Sequence, residues 1–389
     1  MAKRSHEGNS RRVKAGHDGI PQYIREIDAY APGKPVEEVE REFGIRAVKM
    51  ASNENPIGPS PLGVEAAKKA LGESNRYSDG GSYYLREALA KRQEVARENI
   101  LVGCGSTDLI HLAASVLLGP GESAVTSEGS FPLYYIAIEK MGAKLIAVPL
   151  KNYSFDLDAI ARAVEPETKL IYIANPNNPT GTVFDADAFA EFLTKVPGRV
   201  LVVLDEAYYE YVSMPNYSRS IELVQKGRNI LVLRTFSKVY GLAGLRIGYG
   251  IGPAELLAEI DKIRLPIPVS GVAQAAALAA LDDEEHVRRS IEVNRQGLAQ
   301  IEKGFREMGV KFVPSVTNFI LVEVGGNGDA LAGEMLKLGV IVRPMGWMGF
   351  PDAIRVSVGT AEENDAFLRA LGQLRASAGS AKRSERVRS

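Results

Sequence analysis

The chain has one cysteine, one tryptophan and four histidines in 389 residues. The single thiol, Cys104, excludes an internal disulfide and suits a reducing cytoplasm. His6, His17, His111 and His286 lie far apart, without metal-centre spacing. No apolar run approaches the length of a membrane span. The basic N-terminus is not followed by an apolar stretch, so it does not read as a secretory signal. Net charge is nearly absent too: 47 Lys and Arg against 48 Asp and Glu leave −1. That balance gives no reason to expect a polyanion or a membrane surface as partner. Both ends of the chain are basic, but without interleaved aromatics, so nucleic-acid binding is not expected. There is no internal repeat and no low-complexity core segment. What remains is 45% hydrophobic and 24% charged, an ordinary globular composition at a length fit for two or three domains.

Apolar strand-like runs alternate with helical patterns from residue 100 onward. Ile100–Val102, Ser123–Thr126, Ala143–Val148, Lys169–Ala174, Val200–Leu204 and Asn229–Leu233 read as strands, with helices over Leu109–Leu118, Leu157–Ala163 and Ala186–Lys195 between them. Such alternation implies βαβ units and a largely parallel sheet. Helices follow over Glu255–Ile263, Gly271–Leu281 and Glu284–Met308. Shorter strands at Thr317–Glu323, Val340–Arg343 and Ala353–Val358 and a helix at Leu331–Leu338 suggest a small α+β domain. Thr360 and Glu363 form a capping box for a last helix. The expected organisation is a basic arm over 1–19, a segment over 20–50 associated with the small domain, a large domain over 51–270, a small domain over 271–375 and a flexible basic tail over 376–389.

Three strands deliver chemistry to one rim, because ligands in open α/β sheets bind outside the carboxyl ends of strands. After Lys169–Ala174 comes Asn175-Pro176-Asn177-Asn178-Pro179-Thr180-Gly181. After Val200–Leu204 comes Asp205-Glu206-Ala207-Tyr208. After Asn229–Leu233 comes Arg234-Thr235-Phe236-Ser237-Lys238-Val239-Tyr240-Gly241-Leu242-Ala243-Gly244-Leu245-Arg246. A lysine beside apolar strands loses solvation, which pushes it toward the reactive neutral amine an imine-forming lysine needs. Gly103-Cys104-Gly105-Ser106-Thr107-Asp108, between a strand and an apolar helix, offers free N–H groups and a positive dipole end to an anion.

These three motifs, in this order, closely resemble the pyridoxal-phosphate (PLP) aminotransferases of the aspartate aminotransferase superfamily, and most of all the histidinol-phosphate aminotransferases, from about Tyr23 to about Leu374. The resemblance implies an α/β fold with a large PLP-binding domain around a mostly parallel central sheet, plus the smaller α+β domain. It implies that Lys238 holds the cofactor as an imine and then acts as general base, while Asp205 faces the pyridine nitrogen and keeps it protonated. Asn178 and Tyr208 would bond the phenolic oxygen, and Phe131 would stack on the ring. The phosphate would meet Arg246, Ser237, Thr235 and the Gly105, Ser106 and Thr107 turn. Tyr77 would reach the neighbouring subunit's cofactor phosphate, so that a homodimer shares its active sites. Tyr30, Asn55, Arg343 and Arg355 would contact substrate, with Arg355 in Ile354-Arg355-Val356-Ser357-Val358-Gly359-Thr360 clamping a carboxylate or phosphate.

The activity so implied is transamination between histidinol phosphate and 2-oxoglutarate in cytoplasmic histidine biosynthesis, with ping-pong kinetics. Three other readings stay open at this point. Trp347, Met348 and Phe350 could line an apolar pocket for an aromatic amino acid. The same fold could decarboxylate phosphothreonine, or be a binding protein without catalysis.

Overall fold

The computed structural model describes residues 19–30 and 33–388, with side chains described as far as residue 377. The basic arm read over 1–19 therefore lies, but for its last residue, outside the described residues. The central sheet has seven strands. From edge to edge they are Ile100–Gly103, Gly248–Ile251, Ile230–Thr235, Leu201–Asp205, Thr168–Ala174, Ser123–Ser127 and Lys144–Val148. Six run parallel, and Gly248–Ile251 runs antiparallel to both its neighbours. The central strands read as continuous aliphatic runs because both faces are covered. Leu170, Ile171, Val203, Ile230 and Val232 are fully buried. Gly103, Ala174, Asp205 and Thr235 end their strands at one rim, which is where the cavity described below opens.

The smaller unit holds a four-stranded antiparallel sheet in the order Arg343–Pro344, Ala353–Ser357, Phe319–Glu323, Lys311–Val313. Its register sets Arg343 directly opposite Arg355. The helices Glu284–Glu307 and Ala361–Arg388 pack on it through Ile301, Phe305 and Phe367, against Ile320, Val322 and Val356. A short strand, Val48–Lys49, pairs in parallel with Val340–Ile341, and Met50 joins the small core. The run Val340–Arg343, read as one strand, is therefore split. Its first half pairs with the N-terminal segment and its second turns onto the antiparallel sheet, where Pro344, lacking an N–H, takes the edge.

Two expected boundaries are corrected. The helix Gly271–Ala280 belongs to the large core through Ala273, Ala276, Ala277 and Ala280. The chain crosses between cores along Glu284–Glu307, whose Val287 and Ile291 touch the large core and whose Ile301 and Phe305 lie in the small one. An alanine-rich helix has no strongly apolar stripe to show which side it packs on. The last helix also runs on to Arg388, past the expected start of the flexible tail at 376. Both capping-box bonds are present at its start, Glu363 accepting from Thr360 N–H at 2.8 Å and Thr360 Oγ1 from Glu363 N–H at 3.3 Å. From 376 to 388 there is one glycine and no proline to break it. Among the described residues no helix is long and apolar enough to cross a membrane.

A buried ion pair fixes the rim. Arg234 donates through Nε and Nη2 to Glu206 Oε2 at 3.0 and 2.9 Å, and its guanidinium lies 3.6 Å from the Tyr209 ring centre. Ser218 and Ser220 hydroxyls complete the carboxylate's shell, and Gln93 accepts from Arg234 Nη1 at 3.0 Å. Burial is the largest single influence on Arg234 and pulls its proton affinity down, but Glu206, Tyr249, Tyr209 and Glu210 together outweigh it and hold the group above its ordinary range. Each partner is one residue from a cavity-lining group, Glu206 after Asp205 and Arg234 before Thr235. Removing one partner strands a buried charge, so Glu206→Ala is expected to cost about 3–5 kcal/mol in urea unfolding. The double variant Glu206→Leu/Arg234→Met should cost much less than the single changes added together, and a single-variant loss below about 1 kcal/mol would contradict this account.

Candidate active site

A cavity of about 300 Å³ opens at the strand ends and is lined also by residues of the smaller unit and the N-terminal segment. Thirteen of the residues expected at the site line it: Ser106, Thr107, Phe131, Asn178, Asp205, Tyr208, Thr235, Ser237, Lys238 and Arg246 from the large unit, and Tyr30, Arg343 and Arg355 from the N-terminal segment and small sheet. Gly105 stands directly behind them. Its φ of +80° suits glycine, and a Cβ there would sit 2.6 Å from Arg246 Nη2. The helix Ser106–Leu117 starts at this turn, with Asp108 holding Cys104 N–H at 3.0 Å. Gly248, on the adjacent strand, leaves the room the turn needs, since a Cβ would lie 2.5 Å from Ser106 N.

Two expected residues lie elsewhere. Asn55 does not line the cavity: its amide donates to Val239 O at 2.8 Å and Ser290 Oγ at 2.9 Å, tying the loop beside Lys238 to the helix Glu284–Glu307. The turn-rich Asn55-Pro56 stretch pointed to the right loop, but this amide is spent on the frame. Tyr77 is 93% exposed and outside this chain's own cavity. Trp347, Met348 and Phe350 do not line the cavity either. Met348 packs with Val313, Leu321 and Met345, Phe350 lies against Tyr153, and Trp347 stacks under the Arg343 guanidinium at 4.9 Å. No aromatic side-chain pocket forms from them.

At the back of the cavity, Asp205 Oδ2 accepts from the Tyr134 hydroxyl at 2.8 Å and Oδ1 from Ala207 N–H at 3.1 Å. Burial pushes the carboxyl up to about 6, against those two hydrogen bonds. Lys238 Nζ lies 3.5 Å from Ser52 O and 5.5 Å from the Tyr208 ring centre. Burial, helped by Arg355 and Arg246, lowers its ammonium to about 8. Arg246 adopts a left-handed backbone, φ 54°, uncommon for a non-glycine residue and typical of functional sites. Its Nη1 donates to Ala243 O at 3.0 Å and Ser237 Oγ at 3.4 Å. Arg355 is buried, donating to Asn178 Oδ1 and, at 2.8 Å, to Ala51 O, while its Nε has no partner. Because Arg355 occupies Asn178 Oδ1, the Asn178 amide is left facing the cavity as a donor.

The sequence reading missed Asn53, Glu54 and Tyr134, all of which line the cavity. Tyr134 sits inside a helix, Leu133–Glu139, and nothing in its local pattern separates it from a core tyrosine. Asn53 is buried in a left-handed conformation, φ 53°. The turn-rich loop around it was the available signal.

These residues fit pyridoxal phosphate. A desolvated lysine, a buried carboxylate at the strand end, an aromatic wall and a helix N-terminus beside an arginine are the donor set that cofactor requires. The unpartnered Arg355 Nε and the surplus of cations call for anions. Residues 45–371 match the family model described as aminotransferase class I and II. Histidinol-phosphate aminotransferase 1 of Nitrosococcus oceani is 47% identical over 349 residues, covering 90% of this chain and 94% of that protein. The histidinol-phosphate aminotransferase of Moorella thermoacetica is 42% identical over 384 residues, covering 96% and 100%. Among solved structures, histidinol-phosphate aminotransferase from Sinorhizobium meliloti in complex with pyridoxal-5′-phosphate superposes with a TM-score of 0.85 at 30% identity, over 96% of this chain and 100% of that one. Aspartate aminotransferase of Thermus thermophilus with maleate shares the fold, with a TM-score of 0.80 at 24% identity, over 92% of this chain and 98% of that one.

A lysine lowered to about 8 is an ammonium below that pH and a free amine above it. In the cofactor-free protein, acylation of Lys238 by an amine reagent, followed peptide by peptide, should rise with a midpoint near pH 8. A midpoint near that of the exposed lysines would refute the desolvation argument.

Proposed function

Because the chain belongs to the class I and II aminotransferase family, we propose that it is a histidinol-phosphate aminotransferase, exchanging an amino group between histidinol phosphate and 2-oxoglutarate. One observation carries this reading: a single cavity joins Lys238 and Asp205 to the paired arginines Arg343 and Arg355. Forked guanidinium groups serve a carboxylate or a phosphate equally, so one anion pocket accommodates glutamate in one half-reaction and a phosphorylated amine in the other. The relatives at 42–47% identity bear the same activity in their names.

Bound pyridoxal phosphate supplies an electron sink for negative charge at the substrate α-carbon. The chain's own groups do the rest. Ser106, Thr107, Thr235, Ser237 and Arg246 would hold its phosphate, the first two with the dipole of the helix they begin. Phe131 would cover one face of the ring. Asp205, locked by Tyr134 and Ala207, would pair with the ring nitrogen and keep a proton there, a partner that offsets the carboxylate's burial. Asn178 and Tyr208 would donate to the phenolic oxygen. Lys238 would hold the aldehyde carbon at rest. Once released, its amine would carry the proton between the substrate α-carbon and C4′. Tyr30 and Arg343 would close over the far end of the substrate.

Our reading includes a second copy of the chain. Tyr77, Tyr84 and Leu265 are all strongly exposed, and the loop that carries Tyr77 is anchored by Ser78 to Val269 O and by Arg264 to Gly80 O. Apolar exposure on an anchored loop fits a homodimer in which Tyr77 completes the partner's phosphate site.

A panel of amino donors with 2-oxoglutarate as acceptor tests the substrate. Histidinol phosphate should give the highest kcat/KM with parallel-line kinetics, well above phenylalanine. Preference for phenylalanine, or carbon dioxide release without an acceptor, would overturn the assignment. Asp205→Asn should lower kcat by on the order of 10²-fold or more while the protein still binds the cofactor. Mixing Tyr77→Phe with Lys238→Ala subunits tests the shared site. A hybrid has one site carrying both lesions and one carrying neither, so activity should rise above both parents, and no gain would argue for self-contained subunits.

A further inference from the structure

Asn53 lies in the cavity wall and is held from several sides. It is 2% exposed and holds a left-handed backbone, φ 53°. Four hydrogen bonds converge on it. Its Nδ2 donates to the Tyr208 hydroxyl oxygen at 2.9 Å. Ser357 Oγ donates to its Oδ1 at 3.0 Å and accepts from its backbone N–H at 2.8 Å. Asn318 Nδ2 donates to its carbonyl at 3.0 Å.

This network fixes the amide orientation. With the amide turned over, the Ser357 proton would face Nδ2 and lose its acceptor in a buried site. The orientation in turn constrains Tyr208. A phenol has one proton and accepts through its lone pairs. Since Asn53 donates to the oxygen, the Tyr208 proton is directed away from Asn53, and the side chain lines the cavity. We propose that Asn53 is a positioning residue: its amide makes Tyr208 a hydrogen-bond donor into the cavity, toward the phenolic oxygen of the cofactor. This rests on the reading that the cavity holds pyridoxal phosphate. Ser357 lies two residues from Arg355 on one strand. The substrate-anchoring sheet therefore also holds the residue that orients Tyr208. A left-handed asparagine suits the position, because asparagine tolerates that backbone better than most residues and carries both the donor and the acceptor the network uses.

Asn53→Asp is nearly isosteric and tolerates the same backbone, but a carboxylate only accepts. It would turn the Tyr208 proton away from the cavity. The readout is the pH midpoint of the visible absorbance of the PLP-loaded protein, which reports the protonation of the bound chromophore. A donor to the phenolic oxygen favours its deprotonated form, so losing the donor should raise the midpoint. Asn53→Asp and Tyr208→Phe should each raise it by half a pH unit or more, about a threefold change in the equilibrium. The double variant should move it no further than Tyr208→Phe alone, because both act through one bond. Ser357→Ala, which only loosens the amide, should give a smaller shift in the same direction and serves if Asn53→Asp fails to fold. An unmoved midpoint in Asn53→Asp, or additive shifts in the double variant, overturns the proposal. A wild type with no PLP absorbance, or a Tyr208→Phe midpoint equal to wild type, overturns the reading beneath it instead.

Discussion

Unbalanced positive charge in a confined cavity is the constraint on which the rest of this structure depends. Lys238, Arg246, Arg343 and Arg355 line it, against the carboxylates of Asp205 and Glu54. Glu54 is already paired with Lys49 at 2.8 Å. Charges removed from water must be paired, hydrogen-bonded or neutralised. The protein takes a different course at each site. Lys238 moves toward its neutral form, Arg355 keeps a buried Nε without a partner, and Arg246 is held to Ser237 and Ala243 through a strained backbone. A phosphorylated aldehyde and an anionic amine are the ligands that settle all three. The aldehyde needs a neutral amine, the phosphate a fixed arginine and free N–H groups, and the substrate anion a forked donor.

The parts of this arrangement that sequence could show are those in which a strand end and a reactive side chain lie close in the chain. Asn178, Asp205 and Lys238 each follow an aliphatic run within a few residues, so the rim was visible once the sheet was read as parallel. The Arg343–Arg355 pairing was approached in the same way, as neighbouring strands. Asn53, by contrast, acts through Tyr208, Ser357 and Asn318, which are 155 to 304 residues away in the chain. Its φ is set by tertiary packing: the turn-rich loop around it signals a bend, but not which of its residues faces the cavity. The fold shows the same division. Of the helices expected from sequence, Ala186–Lys195 keeps its expected bounds, whereas Ser106–Leu117 and Gly328–Lys337 each begin three residues before the expected start. The alanine-rich helix Gly271–Ala280 was assigned to the wrong unit, because small side chains on every face point to no particular neighbour.

Glycine and left-handed residues concentrate where the backbone has to approach something closely. Gly105 and Gly248 leave no room for a Cβ between the helix turn, Arg246 and the neighbouring strand. Arg246 and Asn53, both lining the cavity, hold a left-handed φ. Such strain persists only where surrounding contacts over-determine it. Here those contacts are the short strand Gly248–Ile251 after Arg246 and the Ser357 bonds around Asn53. The antiparallel strand in an otherwise parallel sheet thus has a local purpose: it returns the chain from Arg246 along the strand that carries Thr235 and presses the glycine turn into place.

The cross-strand pair Arg343–Arg355 shows how far stability is subordinated to the site. Like charges directly opposite each other on a sheet repel and destabilise it. The register of the small sheet nevertheless sets these two residues directly opposite each other, and both line the cavity. Arg343 is flanked by the Trp347 ring at 4.9 Å and the Tyr30 ring at 5.7 Å, and Arg355 by Phe319 at 5.2 Å. Aromatic faces attract guanidinium groups without neutralising them, so the rings help to hold the two side chains in place. Under the proposed function, an anion bound beside the two arginines would ease that repulsion, and a ligand that favours the folded state stabilises it in proportion. Arg355 also fixes the Asn178 amide and shares its strand with Ser357, so under the proposed function one strand would hold both the substrate anchor and the residues that orient the groups around the cofactor.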